Sequence, residues 1–215
     1  MIKGIIFDMD GVIIDSEIIH YEVFRDVSRK HGIESSFEDY NKYVGSTDEA
    51  IYSAFKEKYN LKEDLDYLIK EHQDRFMEIL DMKKDIEPIK GVKELIIEFH
   101  NRGYKLALAS SAPYMNIDKV LDLFNIETYF DIRISGEDLE QGKPHPGIFL
   151  NAAKFLKLNP KECLVIEDSK NGVLAAKRAG MKCLGYRNEN SGEQDISKAD
   201  LIIDDFSTLD ISSII

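Results

Sequence analysis

Cysteine, positive charge and long apolar runs are scarce in this chain, and each scarcity excludes a class of protein. The 2 cysteines, Cys163 and Cys183, share no metal-ligand spacing and lie in apolar segments, which predicts buried free thiols in a reducing compartment. Lys and Arg total 28 against 40 Asp and Glu. The resulting net charge of -12 argues against nucleic acid or an anionic membrane as a partner, because both would be repelled.

The sequence also lacks the segments that direct a protein to a membrane or out of the cell. No apolar run approaches the roughly 20 residues of a membrane-spanning helix, and no long apolar segment of the secretion-signal kind occurs near residue 1. These features predict a cytoplasmic protein. The 215 residues suffice for one buried core and a smaller second domain, and nothing in them demands more than a monomer.

Short apolar strands alternate with amphipathic helices through most of the chain. The strands are predicted at residues 2–7, 105–109, 163–166, 181–185 and 201–203. Between them, apolar residues recur every three or four positions, as over 92–99 and 149–156. Strands that are apolar on both faces and alternate with helices indicate an α/β fold, a Rossmann-like parallel sheet with helices on both faces.

One segment, residues 16–86, interrupts this alternation, because its apolar pattern is helical throughout. The longest stripe of helical period runs over 65–80. We therefore predict a small all-helical cap domain at 16–86, inserted after the first strand of a core domain. That core would comprise residues 1–15 and 87–215. The acidic stretch 189–200 is predicted to be a solvated loop.

Polar clusters follow the apolar strands, at the edge where an open α/β sheet places its ligands. The first cluster is Asp8-Met9-Asp10-Gly11. Two acids at i and i+2 beyond a strand can face one site, and Gly11 lets the chain turn sharply away. Such a run alone is as readily an acidic turn. Burial of paired acids, however, is costly unless a cation or a chemical role compensates them.

Three further clusters have two readings each. Ser110 and Ser111 follow a strand and precede a helix, where hydroxyls serve as an N-cap or as part of a phosphate cradle. Lys143 lies between glycine and proline, so the backbone orients it, although alone it reads as a loop lysine. Glu167 and Asp168 end another strand, where acids cap the next helix or bind a ligand.

Taken together, these residues supply the parts for phosphoryl transfer. Carboxylates from two strands can hold Mg²⁺, which prefers hard oxygen ligands. The cation and Lys143 would offset the charge of the transferring group, while Ser110 would orient its oxygens. The Asp8 carboxylate can attack phosphorus to give an aspartyl-phosphate, which splits one difficult displacement into two easier ones.

The four clusters, in this order, resemble the four motifs of the haloacid dehalogenase-like superfamily. The spacing and the helical insert are similar to its subgroup with a small helical cap, which contains beta-phosphoglucomutase and many sugar-phosphate phosphatases. The resemblance covers essentially the whole chain. It implies an enzyme that uses Mg²⁺ and acts on a small phosphorylated molecule. True dehalogenases resemble the chain less closely, because they lack a second acid equivalent to Asp10.

The resemblance also implies residue roles. Asp8 would be the nucleophile and Asp10 the general acid and base. The residues that would bind phosphate or substrate are Ser110, Ser111, Lys143 and His20, although His20 also reads as an ordinary histidine on a helix face. The implied Mg²⁺ ligands are Asp8, Asp10 through its carbonyl, Asp168, and Glu167 as a direct or outer ligand.

Two departures from the mutase pattern favour hydrolysis over phosphate transfer within the substrate. The mutase carries an arginine after a glycine in a cap loop that here reads Gly45-Ser46-Thr47-Asp48, and a Ser-Lys-Asn run where this chain has Ala112-Pro113-Tyr114. A mutase must hold a bisphosphate intermediate at both ends, so the loss of these contacts favours release of the product. Arg75 or Lys83 of the cap could, however, take the place of the missing arginine. We therefore predict a phosphatase, with a phosphomutase as the alternative. A non-catalytic sugar-phosphate-binding protein is the third reading, disfavoured because every catalytic position is filled.

Overall fold

The chain divides into two compact units in a computed structural model, which describes residues 1–43, 48–83 and 85–214. The first, the core unit, comprises Met1–Asp15 and Glu87–Ile215. The second, the helical unit, comprises Ser16–Ile86. Within the described residues, no helix has the length and apolar character needed to cross a membrane.

A parallel sheet of 6 strands forms the centre of the core unit, in the order β3-β2-β1-β4-β5-β6. The strands are β1 (Gly4–Phe7), β2 (Lys105–Ser110), β3 (Ile132–Ser135), β4 (Cys163–Glu167), β5 (Lys182–Tyr186) and β6 (Leu201–Ile203). Every residue of β1 and β4 is buried. Strands covered on both faces must be apolar on both faces, which is why these two read as continuous hydrophobic runs.

Eight α-helices occur in the described residues. The helical unit contains α1 (Glu17–Lys30), α2 (Phe37–Asn41), α3 (Asp48–Tyr59) and α4 (Leu65–Met82). The core unit contains α5 (Val92–Asn101), α6 (Tyr114–Leu123), α7 (Gly147–Leu156) and α8 (Lys170–Arg178).

Helices pack on both faces of the sheet, because adjacent strand residues point to opposite sides. Ile6 belongs to a buried cluster that also contains Phe149 of α7 and Val173 of α8. Its neighbour Phe7 instead meets Phe99 of α5, with the ring centroids 6.3 Å apart. The predicted Rossmann-like α/β fold is confirmed.

Strand β3 is absent from the sequence prediction. It lies at one edge of the sheet and pairs with β2 alone. Only Ile134 and Ser135 of its 4 residues are buried, and Arg133 between its isoleucines binds Asp118 and Glu127. An edge strand needs no continuous apolar run, so the hydrophobic signal used for the central strands does not reveal it.

The helical unit has its own apolar core. Along α4 the buried residues recur every third or fourth position, the spacing that places them on one helix face. They are Leu68, His72, Phe76, Ile79 and Leu80. Phe24 of α1 packs edge-on against Phe55 of α3, with ring centroids 5.1 Å apart. His72 is the polar member of this buried face, 1% exposed.

Candidate active site

The register of the sheet brings three of the predicted site segments side by side. Phe7, the last residue of β1, pairs with Leu108 of β2 and Ile166 of β4. Asp8 therefore extends β1 to the level of Glu167, the last residue of β4, and Ser110 ends β2 one residue farther along. All strands are parallel, so these carboxyl ends share one edge, the edge at which α/β sheets bind ligands.

Lys143 reaches this edge from the loop before α7. Its ammonium nitrogen lies 2.5 Å from Asp8 Oδ1, 2.7 Å from Glu167 Oε1 and 3.3 Å from the carbonyl oxygen of Ala109. The lysine side chain is only 7% exposed. A charge buried this deeply is stable only when it is paired, and two carboxylates provide that pairing.

Three buried carboxylates converge here. Asp8, Glu167 and Asp168 are 6%, 0% and 5% exposed. Their ligand oxygens all lie within 4.8 Å of one another. With Lys143 as the cation between Asp8 and Glu167, the cluster holds more negative than positive charge.

The pKa values express this imbalance. Burial raises the pKa of the Asp8 carboxyl to about 8, with neighbouring acids adding to the shift and Lys143 opposing it. Burial likewise raises the pKa of Asp168 well above its ordinary range, and repulsion from Glu167 and Asp8 adds to the effect. For Lys143, burial favours the neutral form, but the adjacent carboxylates outweigh it and raise its pKa. The lysine is therefore charged, and the acids lack a further positive charge.

That donor set fits a hard divalent cation. Three clustered carboxylates offer only oxygen ligands, which Mg²⁺ and similar ions prefer. A cation among them would also supply the missing positive charge, and so favour the ionised acids. The family and this cluster together support a divalent metal site at the carboxyl edge of the sheet.

Asp10 and Ser110 contact each other beside the cluster. The Ser110 hydroxyl donates to Asp10 Oδ2 at 3.2 Å and accepts from the backbone N–H of Ala112 at 3.0 Å. Ser110 is fully buried, whereas Asp10 is half-buried. Ser111 faces solvent instead, one residue beyond the end of β2. The structure thus separates two serines that the sequence treats alike.

Glu167 is oriented by the start of α8. The backbone N–H and the hydroxyl of Ser169 both donate to Glu167 Oε2, at 2.8 and 2.9 Å. Ser169 is also the N-cap, since its hydroxyl accepts from the N–H of Gly172 at 3.0 Å. A Cβ at Gly172 would lie 1.7 Å from Glu167 Oε1, so this glycine makes room for the acid. Gly172 was not identified from the sequence as a site residue.

Asp168 is held by a residue that sequence reasoning missed. The Ser191 hydroxyl donates to Asp168 Oδ2 at 2.5 Å, and nearby Asn188 donates from Nδ2 to the carbonyl of Gly11 at 3.1 Å. The prediction of a solvated loop at 189–200 is wrong for Ser191, which is 4% exposed. The available signal was position, because this loop follows the carboxyl end of β5, at the same edge as the site.

The remaining predicted site residues belong to the helical unit. His20 lies on α1, and its Nδ1 is 3.0 Å from Nε2 of His72. Arg75 binds Asp26, with Nη2 2.8 Å from Oδ2, and Lys83 binds Glu22. The two cations considered as substitutes for the mutase arginine thus already have acidic partners. The loop residues Gly45, Ser46 and Thr47 lie outside the described part of the chain.

Comparison with known proteins agrees with this geometry. The model of the haloacid dehalogenase-like hydrolase family matches residues 5–186. The chain belongs to this family.

Named relatives include both phosphatases and phosphomutases. The chain is 32% identical to a phosphorylated carbohydrates phosphatase of Thermotoga maritima, over 84% of this chain and 82% of that protein. It is 30% identical to the beta-phosphoglucomutase of Bacillus subtilis, over 96% and 91%. The crystal structure of beta-phosphoglucomutase from Clostridium difficile superposes with a TM-score of 0.84 at 28% identity, covering 100% of this chain and 96% of that one. This chain is therefore an enzyme that hydrolyses phosphate esters or acts as a phosphomutase.

Proposed function

We propose that this enzyme is a Mg²⁺-dependent phosphatase that hydrolyses a small sugar phosphate through an aspartyl-phosphate on Asp8. The observation that carries the proposal is the buried contact of Lys143 with Asp8 inside a cluster of acids. The named activity of the Thermotoga maritima relative supports phosphorylated carbohydrates as the substrate class.

The contacts of Asp8 support its role as the nucleophile. Its Oδ1 is fixed by Lys143, and its backbone N–H donates to the carbonyl of Ile166 at 3.0 Å, so the carboxylate has little freedom. A fixed attacking oxygen converts binding of the phosphate into a near-attack arrangement. The charge of Lys143, held beside Asp8, would offset the negative charge of the transferring phosphoryl group.

The metal ligands in this proposal are Asp8, Asp168 and the carbonyl of Asp10, with Glu167 as an outer ligand. Both Glu167 oxygens already accept hydrogen bonds from Lys143 and Ser169, which is why we give it the outer position. When bound, Mg²⁺ supplies positive charge that stabilises the phosphoryl group during transfer. Ser191 holds Asp168 in place for this task.

Asp10 serves as the general acid and base. The Ser110 hydroxyl donates to one oxygen of its carboxyl, and the side chain is half-buried. In the first step Asp10 gives a proton to the leaving oxygen of the substrate. In the second it takes a proton from water, whose oxygen attacks phosphorus and releases Asp8.

Hydrolysis is favoured over mutase chemistry because the two cations that could replace the mutase arginine are already paired with acids. A mutase must hold a bisphosphate at both ends, and Arg75 and Lys83 are each already paired with a carboxylate. Tyr114, in the segment that differs from the mutase pattern, donates its hydroxyl to Asp138 at 2.5 Å. The second candidate, a phosphomutase, is supported by the likeness to the two beta-phosphoglucomutases.

A panel of sugar phosphates tests the proposal. We expect Mg²⁺-dependent phosphate release that falls about a thousandfold or more in Asp8→Asn and in Asp10→Asn, because each removes a group that reacts. Asp118→Asn, at an exposed acid that binds Arg133, is the matched control and should stay within about twofold.

Two results would contradict the proposal in different ways. Release that survives Asp8→Asn would show that Asp8 is not the nucleophile. Conversion of beta-glucose 1-phosphate to glucose 6-phosphate faster than phosphate release, in a coupled assay with a bisphosphate primer, would instead identify a mutase. Tight binding of a sugar phosphate without turnover would identify a binding protein.

A further inference from the structure

The helical unit contains a second group of potential metal ligands, built from different atoms. His20 of α1, Asp48 at the start of α3 and His72 of α4 each present one ligand atom, and these atoms lie within 4.8 Å of one another. His20 Nδ1 is 3.0 Å from His72 Nε2, and Asp48 Oδ1 is 3.6 Å from the same nitrogen.

These separations match the dimensions of a zinc site. Zinc–nitrogen and zinc–oxygen bonds of about 2.0–2.2 Å in a tetrahedron place neighbouring ligand atoms about 3.3–3.5 Å apart. The two separations from His72 Nε2, 3.0 and 3.6 Å, bracket that value. The ligand atoms of all three residues lie within 4.8 Å of one another, so one ion can lie among them.

His72 has the surroundings of a metal ligand. Its side chain is buried, and the Tyr52 hydroxyl lies 3.0 Å from Nδ1, which leaves Nε2 to face His20 and Asp48. A partner on the other ring nitrogen fixes the orientation of most metal-bound histidines. Burial also lowers the pKa of His72 to about 4, with Asp48 opposing and His20 adding, so its imidazole is neutral near pH 7.

The protons can be rearranged without a base. The hydrogen bond between Nδ1 of His20 and Nε2 of His72 places one N–H at that contact. Where His72 carries it, the proton moves to Nδ1 and the Tyr52 oxygen accepts it as a hydrogen bond. Where His20 carries it, the proton moves to the other nitrogen of that half-buried ring.

We propose that His20, His72 and Asp48 form a binding site for a transition-metal ion of the Zn²⁺ type. The donor set of two imidazole nitrogens and one carboxylate suits zinc and its neighbours, whereas the Asp8 cluster offers only oxygens and suits Mg²⁺. The site lies wholly within the helical unit, and a bound ion would join α1, α3 and α4.

Zinc binding in the presence of excess Mg²⁺ tests the site. The full chain is first treated with a chelator and re-equilibrated with Mg²⁺, which occupies the carboxylate cluster. Equilibrium dialysis should then find one Zn²⁺ per chain, and Co²⁺ should give the visible absorption of a tetrahedral site. Circular dichroism of each variant checks that it is folded.

Matched variants assign the ion to its ligands. His20→Gln and Asp48→Asn, both at partly exposed positions, should each weaken Zn²⁺ binding about a hundredfold, and Tyr52→Phe about tenfold, as expected for an orienting partner. His100→Gln, at an exposed histidine of α5, should leave binding unchanged. Absence of Zn²⁺ binding, or binding that folded His20→Gln and Asp48→Asn retain while Asp168→Asn loses it, would overturn the proposal.

Discussion

The ammonium group of Lys143 has three N–H bonds, and the structure provides an acceptor for each. Two are carboxylates, Asp8 and Glu167, and the third is the carbonyl of Ala109. A lysine saturated in this way cannot swing toward solvent without leaving two buried acids unpaired. Its direction is therefore set before substrate arrives, which is the condition for electrostatic stabilisation without reorganisation.

Gly11 contributes to the site because it has no side chain. Its φ is +76°, and a Cβ there would lie 1.9 Å from Asp168 Oδ2 and 2.8 Å from Ser191 Oγ. Both a left-handed backbone and a close approach to the site therefore require glycine. Gly103, after α5, has a similar φ of +82° but nothing within 4 Å of its Cβ position.

We predict that Gly11→Ala destabilises the protein more than Gly103→Ala does. The control change carries only the backbone strain, about 1 kcal/mol. Gly11→Ala adds displacement of Asp168, so it should also lower phosphatase activity and Mg²⁺ affinity. Urea unfolding and Mg²⁺ titration of both variants provide the measurement. Equal losses in the two variants would mean that the contact with Asp168 is unimportant.

At the scale of elements, the loop after β5 is the part that completes the site. Ser191 donates to Asp168, whereas Ser197 in the same connection donates to Asp195 at the surface, at 2.6 Å. Each serine hydroxyl donates to an aspartate, but Ser191 is buried and Ser197 is exposed, so Ser197 is a matched control for Ser191.

Ser191→Ala should raise the Mg²⁺ concentration needed for half-maximal activity by about tenfold, with a smaller change in kcat at saturating Mg²⁺. The reason is that second partners of metal ligands orient them, and their loss commonly costs 10–100-fold in metal affinity. Ser197→Ala should leave the Mg²⁺ dependence unchanged. A Ser191→Ala enzyme with wild-type Mg²⁺ dependence would show that Asp168 needs no such support.

Elements that bury apolar residues at regular spacing could be predicted from the sequence. Elements that are only partly buried, and buried polar residues, could not. The apolar run before Asp8 and the helical stripe that became α4 were both identifiable, because covered surfaces must be apolar. Strand β3 was missed, since Arg133 interrupts it. Ser191 was missed because a serine's burial depends on a partner, here Asp168, that is 23 positions away in the chain.

The candidate site was predictable to a similar degree. Asp8 and Asp168 were identified from their places after strands, and Lys143 from its place between glycine and proline; the fold brings the three together. The sequence did not reveal that both oxygens of Glu167 accept hydrogen bonds from neighbouring residues. Nor did it reveal that the close approach of Glu167 requires glycine at position 172. Such contacts depend on the three-dimensional approach of α8 to β4, which no local pattern encodes.

At the scale of the whole molecule, the buried acids that the proposed activity requires lower the stability of the metal-free protein. Three carboxylates with one lysine would destabilise the core unit of the metal-free protein, and natural enzymes tolerate such a cost at their sites. Removal of one acid should therefore stabilise the metal-free protein while abolishing its activity. Binding of Mg²⁺ should stabilise the wild type by mass action.

This balance predicts a dependence of stability on pH that Mg²⁺ removes. In the unfolded chain Asp8 loses its proton near 3.8, whereas burial raises its pKa in the folded core unit to about 8. Between these values the folded state binds more protons than the unfolded state, so the free energy of unfolding falls as pH rises, by about 1.4 kcal/mol per pH unit for this one acid. A bound cation favours the ionised acids and so flattens the slope.

Urea unfolding of the chelator-treated protein from pH 4 to 8, with and without Mg²⁺, measures this slope. Asp168→Asn should flatten it without metal, because burial raises the pKa of Asp168 as well and the variant removes the proton that this acid takes up on folding, and it should make added Mg²⁺ far less stabilising. Asp118→Asn, at an exposed acid away from the cluster, should keep the wild-type slope. If the wild-type slope were the same with and without Mg²⁺, the cation would not be relieving the charge of these acids, and the metal site would have to be sought elsewhere.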